Sequence, residues 1–312
     1  MDTIICINEI AELVKKDLEG VNVTFGESMK KHTSFRIGGE ADIFVDVKTE
    51  EDIIRSIEFF KKNNIEYTII GNGSNLLVSD LGIEGAVICI GRSYSCAQCT
   101  DDTITALSGT LLSRVSAVAL ENSLSGMEFA SGIPGSLGGA IVMNAGAYGG
   151  EMKDVVESTR YINSKGEICI CNGEEHQFSY RKSRFTSDDI VLSSTLRLKR
   201  GNKEEIKDYM QSLSEKRKEK QPLEYPSAGS TFKRPDGYFA AKLIDDAGLR
   251  GYSVGGARVS EKHCGFVING GGASCKDVLL LMKYIEETVA EKFGVSLEPE
   301  VRFLGRSMDA EI

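Results

Sequence analysis

The chain is 312 residues long with 33 glycines, 5 prolines and no tryptophan, and its 41% hydrophobic share and lack of a three-residue glycine period exclude collagen-like and disordered classes. Acids outnumber Lys and Arg by 46 to 37, a net charge of −9 that opposes binding to a phosphate backbone, so no nucleic-acid partner is expected. At this length two or three domains sharing a cleft are expected, room enough for an enzyme.

The opening stretch, Met1 to Glu9, carries acids in place of a basic leader, and no run approaches the roughly 18 apolar residues of a membrane span. A cytoplasmic chain without a membrane partner is expected, its eight cysteines free thiols. From Thr49 the text TEEDIIRSIEFFKKNN predicts a helix, with Thr49 as N-cap and Ile53, Ile57 and Phe60 on one stripe. Apolar runs at Tyr67 to Ile70, Ala86 to Ile90 and Thr103 to Leu107 predict strands. A second amphipathic helix is expected from Thr110, with Leu111, Leu112, Val115 and Val118 inward. Cys96 and Cys99 have the spacing of half a zinc or redox site but no second pair, and no metal is expected.

Residues 126 to 150 hold eight glycines interleaved with Phe129, Ile133, Leu137, Ile141, Val142 and Met143, so this stretch is packed chain and not a linker. Strands follow around a turn at Ser164 to Glu167, with Cys169 and Cys171 facing one side, and then an alternating run from Ile190 to Leu198. Asn202 to Lys220 is a charged, solvated helix bridging to a second domain. Beyond it come a short helix near Tyr238 to Ala247 and strands around Ala257 to Asn269. A helix from Ser274 follows, capped by Ser274 and Asp277, with Leu279, Met282, Ile285, Val289 and Phe293 inward and Gly294 as stop. A final strand is expected over Val295 to Leu304.

Two glycine-rich segments stand out chemically. Gly71, Asn72, Gly73, Ser74 and Asn75 follow a strand and form either a tight turn or a phosphate-cradling loop; Leu76 and the lack of a following helix exclude a Rossmann fingerprint. Ser131, Gly132, Ile133, Pro134, Gly135 and Ser136, followed by Gly138 and Gly139, offer further backbone donors, and two such loops suggest a dinucleotide. Tyr180-Arg181-Lys182-Ser183-Arg184 sets three cations together, where Arg181 holds an anionic substrate or forms a surface ion pair. Ser230 follows Gly229 in a tight turn expected to be buried, without the pattern of a hydrolase elbow, and Glu300 interrupts a hydrophobic alternation as a buried acid or as a partner of Arg302.

The motifs HTSFRIGG from His32, GNGSNLL, ASGIPGSLGGA, NAGAYGGE, YRKSRF, PSAGSTFKRP, EKHCGFVIN and LEPEVRF, in this order, resemble the UDP-N-acetylenolpyruvoylglucosamine reductase family over nearly the whole chain. The resemblance implies an α+β fold: a FAD-binding domain of the vanillyl-alcohol oxidase or PCMH type with two subdomains, expected over 1–201. A smaller α+β substrate-binding domain would occupy 202–312, its last strand near the active site. It assigns the cofactor to Gly71, Asn72, Gly73, Ser74, Asn75 and Leu76, to Ser131 through Ser136 with Gly138 and Gly139, and to Asn144, Ala145 and Gly146 near the flavin ring. Arg181, Ser230 and Glu300 match the catalytic positions, and Lys220, Lys233, Arg234 and Lys242 are expected as anchors for the substrate diphosphate.

By that resemblance NADPH reduces FAD, the enolpyruvyl ether of the UDP-sugar then accepts hydride at its methylene carbon, Arg181 and protonated Glu300 stabilise the resulting charge, and Ser230 donates the proton. The chain runs from Leu198 directly into the Asn202 helix, which leaves no room for the inserted loop of one branch of the family and implies the shorter, type II branch. Cys264 and Ala241 depart from the family pattern by small changes in packing. A monomer or weak oligomer acting on small molecules is expected; an oxygen-using oxidase on the same fold and a nucleotide-binding regulator are the alternatives.

Overall fold

A computed structural model describes residues 7–308, which divide into two compact units interleaved along the chain. The first takes the described residues up to Glu27, then 42–71 and 85–206; the second takes 28–41, 72–84 and 207 onward.

The first unit has two cores. One is built on a four-stranded sheet in the order Asn22–Ser28, Glu40–Asp46, Ile83–Cys89, Tyr67–Ile70. The helix Glu50–Lys62 begins where Thr49 Oγ1 accepts from the Asp52 amide at 3.0 Å while the Asp52 carboxylate accepts from the Thr49 amide, a capping box. Its Ile53, Ile57, Phe59 and Phe60 bury with Ile43, Val45 and Ile88. The other core lies on a five-stranded antiparallel sheet ordered Ile168–Asn172, Val156–Ile162, Ile190–Arg197, Thr103–Leu107, Ala97–Thr100, with the helices Leu112–Glu121 and Leu137–Val142. Cys171 is buried in it and Cys169 packs beside, while Ile168 and Ile170, one residue out of phase, stand exposed.

The second unit gathers Phe35, Ile37 and Leu77 into one core with the helix Cys275–Phe293 and the meander Ser253–Val254, Ala257–Val259, Val267–Asn269. Ser274 and Asp277 cap that helix as expected, and Gly294 ends it with φ +66°. A further cap comes from far along the chain: the Asp80 carboxylate accepts from the Cys275 and Lys276 amides at 2.9 and 3.1 Å. The buried face of the helix is Val278, Leu281, Met282, Ile285 and Val289, which corrects the expected stripe: Leu279 lies only partly inward and Phe293, in the last turn, is 38% exposed. The expected strand over 295–304 shrinks to Arg302–Leu304, which runs parallel to Leu76–Val78. Pro299, with no N–H to give, stands just upstream and makes only an isolated bridge to Phe232.

The seven described cysteines are free, and Cys6 lies outside the described residues. Among the described residues no helix is long and apolar enough to cross a membrane.

Candidate active site

In the second unit three sequence-distant segments meet. Residues 226–233 lie between 265–269 and 298–301: the Asn269 amide donates to the Pro226 carbonyl, the Thr231 amide to Gly265 O at 2.8 Å, and the Glu300 amide to Thr231 O at 2.8 Å. Thr231 is buried and its Oγ1 accepts from the Val267 amide, which locks the register. Glu300 is therefore paired through its backbone with Thr231, the residue next to Ser230. Contrary to expectation Ser230 is exposed: Gly229 at φ +80° breaks the extended run between buried Ala228 and buried Thr231, and Ser230 stands on the solvent side of that break. Glu300 is half-buried.

The loop after Gly71 is strapped to the same segments. Asn75 Nδ2 donates to Glu300 O at 2.9 Å and Asn75 O accepts from the Arg302 amide, so this asparagine braces the Glu300 segment. The Ser34 amide donates to Gly73 O, and Ser34 Oγ donates to Ser227 O at 2.6 Å. Ser34 thus ties the glycine loop to the strand that carries Ser230, a role not legible from HTSFRIGG as a string. A methyl at Gly73 would fall 1.9 Å from His32 O on a backbone with φ +60°, so only glycine fits.

In the first unit the two glycine segments converge on Ser136. This buried residue is the N-cap of Leu137–Val142, yet its hydroxyl makes no capping bond. A methyl on Gly71 would sit 2.5 Å from Ser136 Oγ, and at Gly139 that oxygen, 4.0 Å away, is the nearest atom to an added side chain. Part of the expected donor array is already used: Ser131 N–H donates to Glu128 O, Ile133 N–H to Ala130 O and Gly138 N–H to Ser108 O. A close-approach cradle with one uncommitted hydroxyl and open space over Gly139 suits a phosphate-bearing group such as the FAD pyrophosphate. Beneath Gly71, burial pushes the Cys89 thiol up to about 12, so it is unreactive at neutral pH.

Further along, Gly146–Ala147 and Gly150–Glu151 form a hairpin whose two turn residues, Tyr148 and Gly149, both have positive φ, the geometry of a type I′ turn. Arg181 lies at the tip of a second turn, closed by hydrogen bonds between Ser179 and Lys182. Its guanidinium reaches Gly146 O at 3.4 Å and lies 5.1 Å from the centre of the Tyr180 ring. Arg184 stacks on Tyr161 and donates to its hydroxyl, so it serves the fold, whereas Lys182 is exposed. Asn144 is fully buried with its side-chain groups engaged inside the protein, and the Ala145 amide and carbonyl are also taken, by Ala140 O and the Met152 amide. His176, also fully buried, bonds to Gly173 O and Thr159 Oγ1 and stacks on Phe178; burial holds its imidazole below the ordinary range and neutral.

The expected diphosphate anchors lie apart in environment. Lys220 is exposed, Lys233 pairs with Glu298, Lys242 with Asp246 at 2.9 Å, and the Arg234 guanidinium covers the Phe239 ring at 3.9 Å. A cleft of about 330 Å³ in the second unit is lined instead by Glu224, Tyr225, Arg258 and Lys262, with Arg258 against the Tyr225 ring. Arg258 lies outside the eight motifs, and Lys262, within EKHCGFVIN, has no role implied there.

Residues 41–172 match the family described as FAD binding domain, and residues 221–304 that described as UDP-N-acetylenolpyruvoylglucosamine reductase, C-terminal domain. Fold and site thus define an α+β flavoprotein oxidoreductase, with a FAD-binding domain of the vanillyl-alcohol oxidase/PCMH type in two subdomains and a smaller α+β domain. The chain is 51% identical to the UDP-N-acetylenolpyruvoylglucosamine reductase of Caldanaerobacter subterraneus subsp. tengcongensis over 302 residues, 96% of this chain and 98% of that protein. It is 53% identical to the one from Agathobacter rectalis over 305 residues, 94% and 97% of the two. The crystal structure of the reductase from Thermus caldophilus aligns with a TM-score of 0.77 at 36% identity, over 91% of this chain and 98% of that one. The chain belongs to the UDP-N-acetylenolpyruvoylglucosamine reductase family.

Proposed function

We propose that this chain reduces UDP-N-acetylglucosamine enolpyruvate to UDP-N-acetylmuramate with NADPH, in the cytoplasm, as a step of peptidoglycan precursor synthesis. The observation that carries the reading is the backbone pairing of Glu300 with Thr231, the residue after Ser230, with Asn75 of the glycine loop bonded to the Glu300 carbonyl. In this reading 1–201 serve the flavin and 202–312 the substrate. The flavin would be held by the Gly71 to Leu76 loop, by Ser136 with the glycines around it, and by contact with Ala145 and Gly146. When bound, FAD supplies a hydride relay between NADPH and the methylene carbon of the enolpyruvyl ether.

The chain's own groups handle charge and protons. Arg181 holds the substrate carboxylate with its planar fork, and Glu300, protonated, donates to the same developing negative charge. Ser230 delivers its hydroxyl proton to the carbon that becomes the lactyl centre; a hydroxyl is a weak acid in water, but this acceptor is strongly basic once hydride has arrived. Lys220, Lys233, Arg234 and Lys242 neutralise the diphosphate, for which Lys233 and Lys242 exchange their present carboxylate partners.

The test follows the flavin spectrum of the purified protein through reduction by NADPH and reoxidation by the enolpyruvyl nucleotide. A colourless protein, or a reduced flavin that this nucleotide cannot reoxidise, overturns the proposal. Fast reoxidation by air alone marks an oxidase instead, and nucleotide binding without turnover marks a regulator.

A further inference from the structure

The side chain of Asn144 makes three hydrogen bonds inside the first unit. Its Oδ1 accepts from the Lys153 amide at 2.9 Å, which fixes the amide orientation, and its Nδ2 donates to Ser179 O at 3.0 Å and to Glu151 Oε2 at 3.1 Å. Ser179 is the residue whose amide and carbonyl close the turn bearing Arg181, and Arg181 in turn reaches Gly146 O, two residues after Asn144. The Glu151 carboxylate, bonded to Lys153 Nζ at 2.8 Å and facing the Arg181 charge, is held below the usual carboxylate range. Asn144 keeps φ +41°, Arg181 +54° and Tyr148 +53°, so three non-glycine residues within one small network sit in a costly backbone region.

We infer that Asn144 is a positioning residue for Arg181: it clamps the Ser179 carbonyl on one side and the Glu151 carboxylate on the other, and sets where the guanidinium stands. Both amide protons are engaged, so Asn144 acts on the chemistry through the arginine turn and not by donating to the cofactor. The inference rests on the proposed role of Arg181.

The experiment uses the full-length flavin-loaded protein and follows the two half-reactions separately in Asn144→Gly, Asn144→Asp, Arg181→Ala and the double variant Asn144→Gly/Arg181→Ala. Glycine tolerates the backbone at 144, and aspartate keeps the shape while turning an acceptor toward Ser179 O. Each Asn144 variant is expected to slow reoxidation by the enolpyruvyl nucleotide at least roughly 30-fold, with NADPH-driven reduction within about threefold of the parent. FAD affinity, read by fluorescence quenching on titrating the apoprotein, stays within about threefold, and the double variant is no slower than Arg181→Ala within about twofold. Equal losses in both half-reactions, a collapse of FAD affinity, multiplying losses in the double variant, or loss of the fold in both Asn144 variants each overturn the inference. If Arg181→Ala itself reoxidises normally, the assigned role of Arg181 has failed, an outcome separate from multiplying losses on a slow Arg181→Ala.

Discussion

Ser230 and Glu300 lie on segments paired to each other by long-range backbone bonds; Arg181 lies on a local turn that a side chain, Asn144, grips from outside. In the second unit the catalytic candidates sit on adjacent extended segments whose register is set by amide-to-carbonyl bonds and by the buried Thr231 hydroxyl. In the first unit Arg181 crowns a turn closed by backbone bonds between Ser179 and Lys182, gripped by the Asn144 side chain at Ser179 O and bonded at its base from the Arg184 amide to the His176 carbonyl. A long-range pairing of many backbone bonds tolerates loss of an exposed side chain such as Ser230, whereas a local turn gripped by one buried side chain transmits the loss of that side chain.

The largest expected effect tests the backbone half. Ser230→Ala, on an exposed side chain, should leave folding and NADPH-dependent flavin reduction intact while slowing reoxidation by about 10³-fold in stopped flow. Equal slowing of both half-reactions would mean that the pairing had moved. Next comes the loop braced against it: Gly73→Ala forces a methyl into His32 O at positive φ and should lower unfolding free energy by about 2–4 kcal/mol in a denaturant titration. Thr231→Val removes the acceptor of a buried amide, that of Val267, and should cost about 1–2 kcal/mol; an unchanged midpoint would show that the register does not need this hydroxyl.

The smallest effect probes the side-chain half through pH. Burial depresses the His176 pKa, so as pH falls below about 6.5 the unfolded state takes up the proton first. The associated stability, full above 6.5, is lost on acidification at up to about 1.4 kcal/mol per pH unit. Melting curves between pH 7.5 and 5.5 should fall less steeply for His176→Gln than for the parent. Part of the slope persists, because burial depresses His263 likewise.

The sequence spoke most clearly where the physics is local. Thr49 with Asp52, and Ser274 with Asp277, announce their helices within four residues, and the alternation of Cys169 and Cys171 reports one sheet face. Eight motifs in one order were sufficient to identify the family, and in GNGSNLL and NAGAYGGE the glycines Gly73, Gly146 and Gly150 leave no room for a Cβ. Long-range partners were not legible: no spacing rule couples Ser34 to Ser227, Asp80 to Cys275 or Asn75 to Glu300. Nor was the outward direction of Ser230, since its exposure depends on which of Ser230 and Thr231 faces the Val267 amide. Asn144 read as a flavin neighbour in its motif, and only its three bonds reveal a clamp.

The interleaving of the second unit has a kinetic consequence. Phe35, Ile37 and Leu77 share their core with Ala228, Val267, Leu281 and other residues of 228–308. On the ribosome these early apolar side chains must wait until some two hundred further residues have emerged, while the first unit has its whole chain by Ile206. Closure over such separations is slow. A nascent chain stalled before residue 207 would therefore hold all of the first unit's chain alongside exposed Phe35, Ile37 and Leu77, a natural handle for chaperones and a reason for truncated forms to aggregate.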